Sequence, residues 1–230
     1  MLSELLSPIL LTIYLAIIST IILLIISIPL AWWLARGNSI FRMIIESLVT
    51  LPLVLPPTVL GFYLLILLGK DGMIGNMLGF IGIEPLLFKF SGLVVGSVIY
   101  SFPFVIQPIQ NSFAEINKGI LEVSDTLGAS KIDRFFSIIL PLSKRGIITA
   151  IILGFAHTIG EFGVVLMIGG NIPGETELLS IAIYNHVENL EYQKAHMLSG
   201  GLVLFSFIIL FSLSLYNRFN KTQNIRVCCA

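Results

Sequence analysis

Charged residues are scarce in this chain. Only 11% of its 230 residues are Asp, Glu, Lys or Arg, whereas 56% are hydrophobic. A soluble protein of this length needs far more polar surface than such a composition supplies. The formal net charge is zero, so the overall charge does not indicate a nucleic-acid partner, and we expect none.

Cysteines and nucleotide-binding motifs are also lacking. Cys228 and Cys229 are the only cysteines, and they have no partners at a spacing typical of a disulfide framework or a metal site. The sequence contains no G-x4-G-K-[ST] phosphate loop, so the chain cannot by itself cradle ATP phosphates in the usual way. We therefore expect no metal, no cofactor and no enzymatic activity.

Long apolar runs are what the chain has in abundance. A helix needs about 20 mostly apolar residues to cross a bilayer, and five runs approach or exceed that length. The sequence predicts an all-α integral membrane protein with about five transmembrane helices. The expected spans are 10–35, 47–69, 91–114, 146–170 and 197–217.

Basic residues are distributed unevenly between the connections. Of the 13 Lys and Arg residues, all but Lys70, Lys89 and Lys194 lie in the segments 36–42, 118–145 and 218–226, which fall on one side of a five-span chain. Cytoplasmic loops carry the excess of basic residues. We therefore expect a multi-pass protein of a prokaryotic plasma membrane, with the N-terminus outside and a cytoplasmic tail over 218–230.

The segment 118–141, KGILEVSDTLGASKIDRFFSIILP, holds an unusual concentration of charge. Asn117 is placed to cap a first helix, which Gly128 ends in the left-handed conformation. Ser130 is placed to cap a second helix, which Pro141 ends because proline offers no N–H. The apolar face of the first helix is expected to turn inward and consists of Ile120, Val123 and Leu127. Periodicity leaves two interpretations open, an amphipathic loop on lipid headgroups or a docking surface for a soluble protein.

A spaced motif in this hairpin resembles a known family. Glu122, Gly128, Ile138, Leu140 and Pro141 match the pattern E-x5-G-x9-I-x-L-P, which is similar to the "EAA" loop of ABC-importer permeases. The resemblance implies a cytoplasmic coupling helix hairpin that seats in a groove of a separate ATPase subunit. The residues expected to couple are Glu122, Asp125, Gly128, Ala129, Ser130, Lys131 and Pro141. Val123 and Ser124 stand where the motif has its two alanines.

Three further segments, 51–65, 126–142 and 159–176, resemble the molybdate branch of that family, whose architecture tungstate and sulfate permeases share. The similarity spans residues 8–217, which we expect to form one transmembrane domain with the type I ABC importer fold. It implies a homodimer of this chain, two cytoplasmic ABC ATPase subunits and an extracellular or periplasmic oxyanion-binding protein. Membrane lipid surrounds the spans.

The second and fourth spans carry the candidate pathway or gate residues. Prolines in the second span predict a break or kink near its middle, beside a threonine hydroxyl. His157 and Glu161 in the fourth span are four residues apart and are expected to share one helical face. They admit a gate pair, a proton relay or a structural polar contact. The full set is Pro56, Pro57, Thr58, His157, Gly160, Glu161 and Gly163.

No Lys or Arg lies inside an expected span, which favours a weak, water-lined path over a tight oxyanion site. Within the resemblance, tungstate or sulfate transport is the alternative to molybdate transport. A stand-alone secondary transporter or channel is a competing class, but neither coupling-ion residues nor an inverted repeat is visible. A membrane hydrolase built on His157 and Glu161 would need a second histidine for zinc or a nucleophile elbow, and the sequence offers neither.

Overall fold

The computed structural model describes residues 2–37, 39–82 and 84–228, and all regular structure in them is helical. The first half contains α1 (Leu2–Ala35), α2 (Ile40–Thr50), a 3-10 turn (Leu51–Leu53), α3 (Pro57–Leu68), α4 (Met73–Phe80) and α5 (Phe90–Ala114). The second half contains α6 (Lys118–Thr126), α7 (Lys131–Arg134), a π-helical turn (Phe135–Ile139), α8 (Leu140–Leu142), α9 (Lys144–Gly160), α10 (Gly163–Gly169), α11 (Leu179–Glu188) and α12 (Tyr192–Cys228).

Four helical segments in the described residues are long and apolar enough to cross a membrane. A fifth span results if the pair Lys131–Leu142 and Lys144–Ile159, which is bent by 69°, is counted as one. The all-α membrane fold predicted from the sequence is thereby confirmed. The four segments are Leu6–Ala35, Pro57–Phe80, Phe90–Ala114 and Tyr192–Arg218. The last helix runs on to Cys228, into the expected tail; Cys229 lies outside the described residues.

The segment 47–69 is interrupted by its prolines. Pro56 has an extended backbone (φ −55°, ψ 136°), and α3 begins at Pro57. A residue before proline disfavours the α conformation, and proline at the first helical position loses no hydrogen bond. The predicted break is therefore present. The helical segment that can cross the membrane, however, begins at Pro57 and continues through α4, beyond the expected end at residue 69.

The segment 146–170 is interrupted as well, which the sequence did not predict. Helix α9 ends at Gly160, and Glu161 takes an extended backbone (φ −69°, ψ 135°) before α10 begins at Gly163. The expectation that His157 and Glu161 share one helical face is therefore wrong, because the helix ends between them. The glycines on either side of Glu161 lower the cost of leaving the helix.

Helices α1, α5 and α9 form the centre of the fold. Their contact buries Leu23, Val105, Ile106 and Ala150 almost completely. A Cβ on Gly154 would lie 2.4 Å from Cγ2 of Val105, so only glycine lets α9 approach α5 this closely. This tight three-helix packing fixes the positions of the polar side chains on α5 and α9 described below.

Candidate functional site: a mid-span cavity and an exposed hairpin

A cavity of about 530 Å³ lies where the two helix breaks meet. Tyr100 on its wall is ten residues into α5, about 15 Å along the helix axis, which is near the middle of a span. Of the expected pathway residues, Pro56 is not part of the lining, although it caps α3 directly beside it. The lining consists of Pro57, Thr58, Tyr100, Ala156, His157, Gly160, Glu161, Phe162, Gly163, Leu166 and Met167.

The two breaks touch each other. A Cβ on Gly163 would lie 2.8 Å from Cβ of Pro57, and a Cβ on Gly61 would lie 2.8 Å from Cβ of Met167. Glycine at both positions thus allows α3 and α10 to pack backbone against side chain. Sequence reasoning predicted the first break and singled out Gly163, but it did not predict the second break or the contact between the two.

His157 is held by α5 and not by Glu161. Its Nδ1 lies 3.0 Å from Oγ of Ser101, which also lies 3.1 Å from Oγ1 of Thr158. The Phe104 ring stacks on the imidazole with centroids 3.8 Å apart, and the Tyr100 ring lies 4.8 Å away. The histidine is therefore fixed in orientation at the cavity wall. Sequence periodicity missed Ser101, Tyr100 and Phe104 as its partners because they belong to a different helix.

Glu161 is buried at the second break. Its side chain is 3% exposed, and neither carboxyl oxygen makes a hydrogen bond of good geometry. The buried Ser97 hydroxyl faces this carboxyl, and the Glu161 carbonyl accepts a 2.6 Å hydrogen bond from Ser180 on α11. A buried polar group without a partner is costly, and such groups in membrane spans commonly serve function.

The cavity offers polar atoms but no fixed positive charge. None of the described residues that line it is Lys or Arg. The hydroxyls of Thr58 and Tyr100 and the N-terminal end of α3 are available to an anion, since the N-terminus of a helix carries partial positive charge. This arrangement can hydrate an anion and stabilise it weakly, without holding it tightly.

The second region is the hairpin of α6 and α7, whose predicted caps are present. Oδ1 of Asn117 accepts from the Gly119 backbone N–H at 2.8 Å, and Oγ of Ser130 accepts from that of Asp133 at 3.1 Å. Gly128 adopts φ +78°, in the left-handed region that favours glycine. The turn between the helices therefore has the geometry that the sequence predicted.

The packing of the hairpin corrects the predicted orientation of its first helix. The face expected to turn inward is exposed, with Val123 59% and Leu127 81% accessible, whereas Leu121 (8% exposed) and Ser124 are buried. We call the exposed apolar set the hairpin surface, and it consists of Ile120, Val123, Leu127, Ile132 and Phe136. Helical spacing groups residues on one face, but it does not reveal which face the rest of the chain covers.

Pro141 also does not stop its helix. The chain forms a π-helical turn over Phe135–Ile139, in which the Leu140 backbone N–H bonds to the Phe135 carbonyl, and then continues through Pro141 to Leu142. Helical structure ends at Ser143. In the π turn the backbone hydrogen bond spans five residues instead of four. This shift occurs just before Pro141, which has no N–H to donate.

Most of the expected coupling residues lie at the surface. Asp125 pairs with Arg134, an ion pair between the two helices of the hairpin. Beneath them Phe135 contacts the rings of Trp32 (6.0 Å) and Phe113 (6.5 Å), which belong to α1 and α5. The exposed coupling residues are Glu122, Asp125, Gly128, Ser130, Lys131 and Pro141, and Ala129 is half-buried.

A multi-pass helical bundle with a mid-span cavity and an exposed hairpin defines a transport subunit. Residues 27–223 match the family described as "Binding-protein-dependent transport system inner membrane component", and the chain belongs to this family. The chain is 55% identical to the molybdenum transport system permease protein ModB of Azotobacter vinelandii, over 93% of this chain and 95% of that protein. It is 36% identical to ModB of Escherichia coli K12, over 69% of each chain. It is 31% identical to the sulfate transport system permease protein CysT of Salmonella typhimurium, over 84% of this chain and 69% of that one.

Solved structures show the same fold at 18% identity. One is a bacterial alginate ABC transporter in complex with its alginate-bound periplasmic protein, with a TM-score of 0.74 over 90% of this chain and 76% of that one. Another is the MetNI methionine ABC transporter in an inward-facing conformation, with a TM-score of 0.70 over 95% and 96%. The fold is that of the transmembrane subunit of a type I ABC importer, as the resemblance of the hairpin motif implied.

Proposed function

We propose that this chain is the membrane permease of an ATP-driven importer of molybdate. The observation that carries the proposal is the 55% identity to a molybdenum transport permease along nearly the whole of both chains. The chain provides the path across the membrane, and ATP hydrolysis belongs to a separate subunit. The absence of a phosphate loop from the sequence supports this division.

The working assembly contains two copies of this chain, two cytoplasmic ATPase subunits and an external oxyanion-binding protein. The name of the family, which includes dependence on a binding protein, supports the last of these. The uneven distribution of basic residues supports an orientation with the N-terminus outside and the hairpin in the cytoplasm.

The hairpin surface is the docking site for the ATPase. Leu127 and Phe136 are 81% and 62% exposed, and exposed apolar side chains flanked by charges are typical of protein interfaces. Movement of the hairpin reaches the spans through Phe135, which packs against Trp32 of α1 and Phe113 of α5. The hairpin therefore acts directly on α1 and α5, two of the three central helices.

The cavity is the part of the path that opens and closes. Its walls come from four helices, so a relative movement of the α1, α5 and α9 core against α3 and α10 changes its shape. The lack of Lys and Arg in the described lining suits a dianion that must enter and leave quickly, because tight binding inside a path slows release. His157 and Glu161 serve as gate or packing groups, since an anionic Glu161 would repel the cargo.

Reconstitution tests the proposal. The chain, its ATPase and its binding protein are placed in proteoliposomes, and uptake of molybdate, tungstate and sulfate is measured with and without ATP. We expect molybdate uptake that requires ATP, the ATPase and the binding protein. Uptake of sulfate in preference to molybdate would refute molybdate as the substrate. Uptake by the chain alone without ATP would refute an ATP-driven importer and favour a secondary transporter.

A further inference from the structure

Two arginines flank the contact between the end of α1 and the hairpin: Arg36 stacks on Trp32, and Arg134 immediately precedes Phe135, whose ring contacts Trp32. Arg36 follows directly on the apolar segment Leu6–Ala35, and its Cζ lies 4.1 Å from the centroid of the Trp32 ring. Its Nε and Nη2 atoms are buried and make no hydrogen bond. Stacking on an aromatic ring satisfies the face of a guanidinium group but not its N–H donors.

Arg134 on the hairpin has the same deficit. Its Nη1 pairs with Asp125, but its buried Nε has no hydrogen-bond partner. Burial and then the charge of Arg134 lower the pKa of Arg36, which agrees with the placement of both arginines around the contact of Trp32 with Phe135. Asp125 offsets one of the two positive charges, which leaves one positive charge and three buried nitrogens that carry four unpaired N–H groups.

Such an arrangement suits an oxyanion. Guanidinium N–H groups bind the oxygens of phosphate with matched geometry, and hydrogen bonds between charged groups are the stronger ones. An anion bound by both arginines would accept hydrogen bonds from these N–H groups and relieve the repulsion between like charges.

The membrane level of the pair indicates where the anion comes from. Trp32 and Trp33 end the first span, and the Arg42 guanidinium lies 4.9 Å from the Trp33 ring. Tryptophan and arginine together at the end of a span mark the headgroup layer, where lipid phosphates are abundant.

We propose that Arg36 and Arg134 form a binding site for the phosphate of an anionic phospholipid, which links the end of the first span to the hairpin. The site rests on the proposed function only in assigning the lipid to the cytoplasmic leaflet. Because one arginine directly follows the first span and the other belongs to the hairpin, the bound phosphate strengthens the mechanical connection between the span and the hairpin.

Native mass spectrometry of the complete transporter, purified in mild detergent with its ATPase subunits, tests the site. Phosphatidylglycerol or phosphatidylcholine is added, and the retained lipid is counted for the wild type and for Arg36→Gln and Arg134→Gln. We expect selective retention of phosphatidylglycerol by the wild type and roughly tenfold weaker retention by each variant, as for loss of charged hydrogen bonds. Arg42→Gln is the matched control, since Arg42 also stacks on a tryptophan at this end of α1 but has no buried unpartnered N–H among the described atoms.

Further arms separate the possible outcomes. Equal retention by the wild type and both glutamine variants, or equal retention of the two lipids by the wild type, would overturn the proposal. If inorganic phosphate saturates the site and phosphatidylglycerol is not retained, the proposal that the bound phosphate belongs to a lipid is refuted. If Arg36→Gln does not assemble, Arg36→Lys replaces it: this variant keeps the charge but loses the fork of donors, and retention equal to the wild type would contradict the proposal.

Discussion

Substitution of Gly128 tests whether the hairpin turn couples ATP hydrolysis to transport. The glycine has φ +78°, and a Cβ built on it meets nothing within 4 Å. The cost of a side chain there is therefore conformational and not steric. A β-branched residue in the left-handed region costs about 1–3 kcal/mol, and at about 2 kcal/mol the turn becomes roughly 30-fold less favourable.

Gly128→Val should therefore lower the number of molybdate ions imported per ATP hydrolysed, while the membrane core remains folded. The assay measures uptake and phosphate release together in proteoliposomes. Gly128→Asn is the matched control, because asparagine tolerates the left-handed conformation, and it should retain most of the coupling. Wild-type coupling in the valine variant would refute the role of the turn. Equal losses in both variants would refute the conformational explanation.

Three further predictions concern the hairpin surface, the cavity and the loop between α10 and α11. Leu127→Asp should prevent co-purification of the ATPase without lowering the yield of the chain, because it places a charge on the hairpin surface. An intact complex would contradict the proposal that this surface docks the ATPase. Gly163→Ala should slow uptake and cost about 1–3 kcal/mol in overpacking, because its Cβ would lie 2.8 Å from that of Pro57; unchanged uptake and thermal unfolding would count against the close contact. Thr176→Val should lower the unfolding temperature, because the buried Thr176 hydroxyl donates to the Gly169 carbonyl (2.7 Å) and accepts from the Ile172 N–H (3.1 Å); Thr176→Ser, which keeps both bonds, should lower it less.

The parts of the fold that follow from local chemistry could be predicted from the sequence. The lengths of the apolar runs predict that the chain has several membrane-spanning helices. The capping side chains of Asn117 and Ser130 predict where the two hairpin helices begin. Proline geometry gives the break before Pro57, and the conformational freedom of glycine gives the turn at Gly128.

The parts that depend on tertiary contacts could not be predicted in the same way. The exposure of Val123 and the burial of Leu121 depend on which helices lie above the hairpin, and a single amphipathic pattern does not carry that information. The end of α9 at Gly160 gives no strong local signal, since glycine also occurs within membrane helices such as α5. The partner of His157 is Ser101, which is 56 positions away along the chain.

The lack of Lys and Arg in the described lining of the cavity has a consequence for the range of solutes that this architecture can carry. If this cavity is part of the path, as proposed, a wall without a fixed positive charge would select weakly among anions of similar size, and the external binding protein would have to select the cargo. We expect that fusing or pairing the chain with a receptor of altered preference would redirect import with few changes in the spans. On this proposal the chain is a general path for anions, and the external binding protein supplies the selectivity.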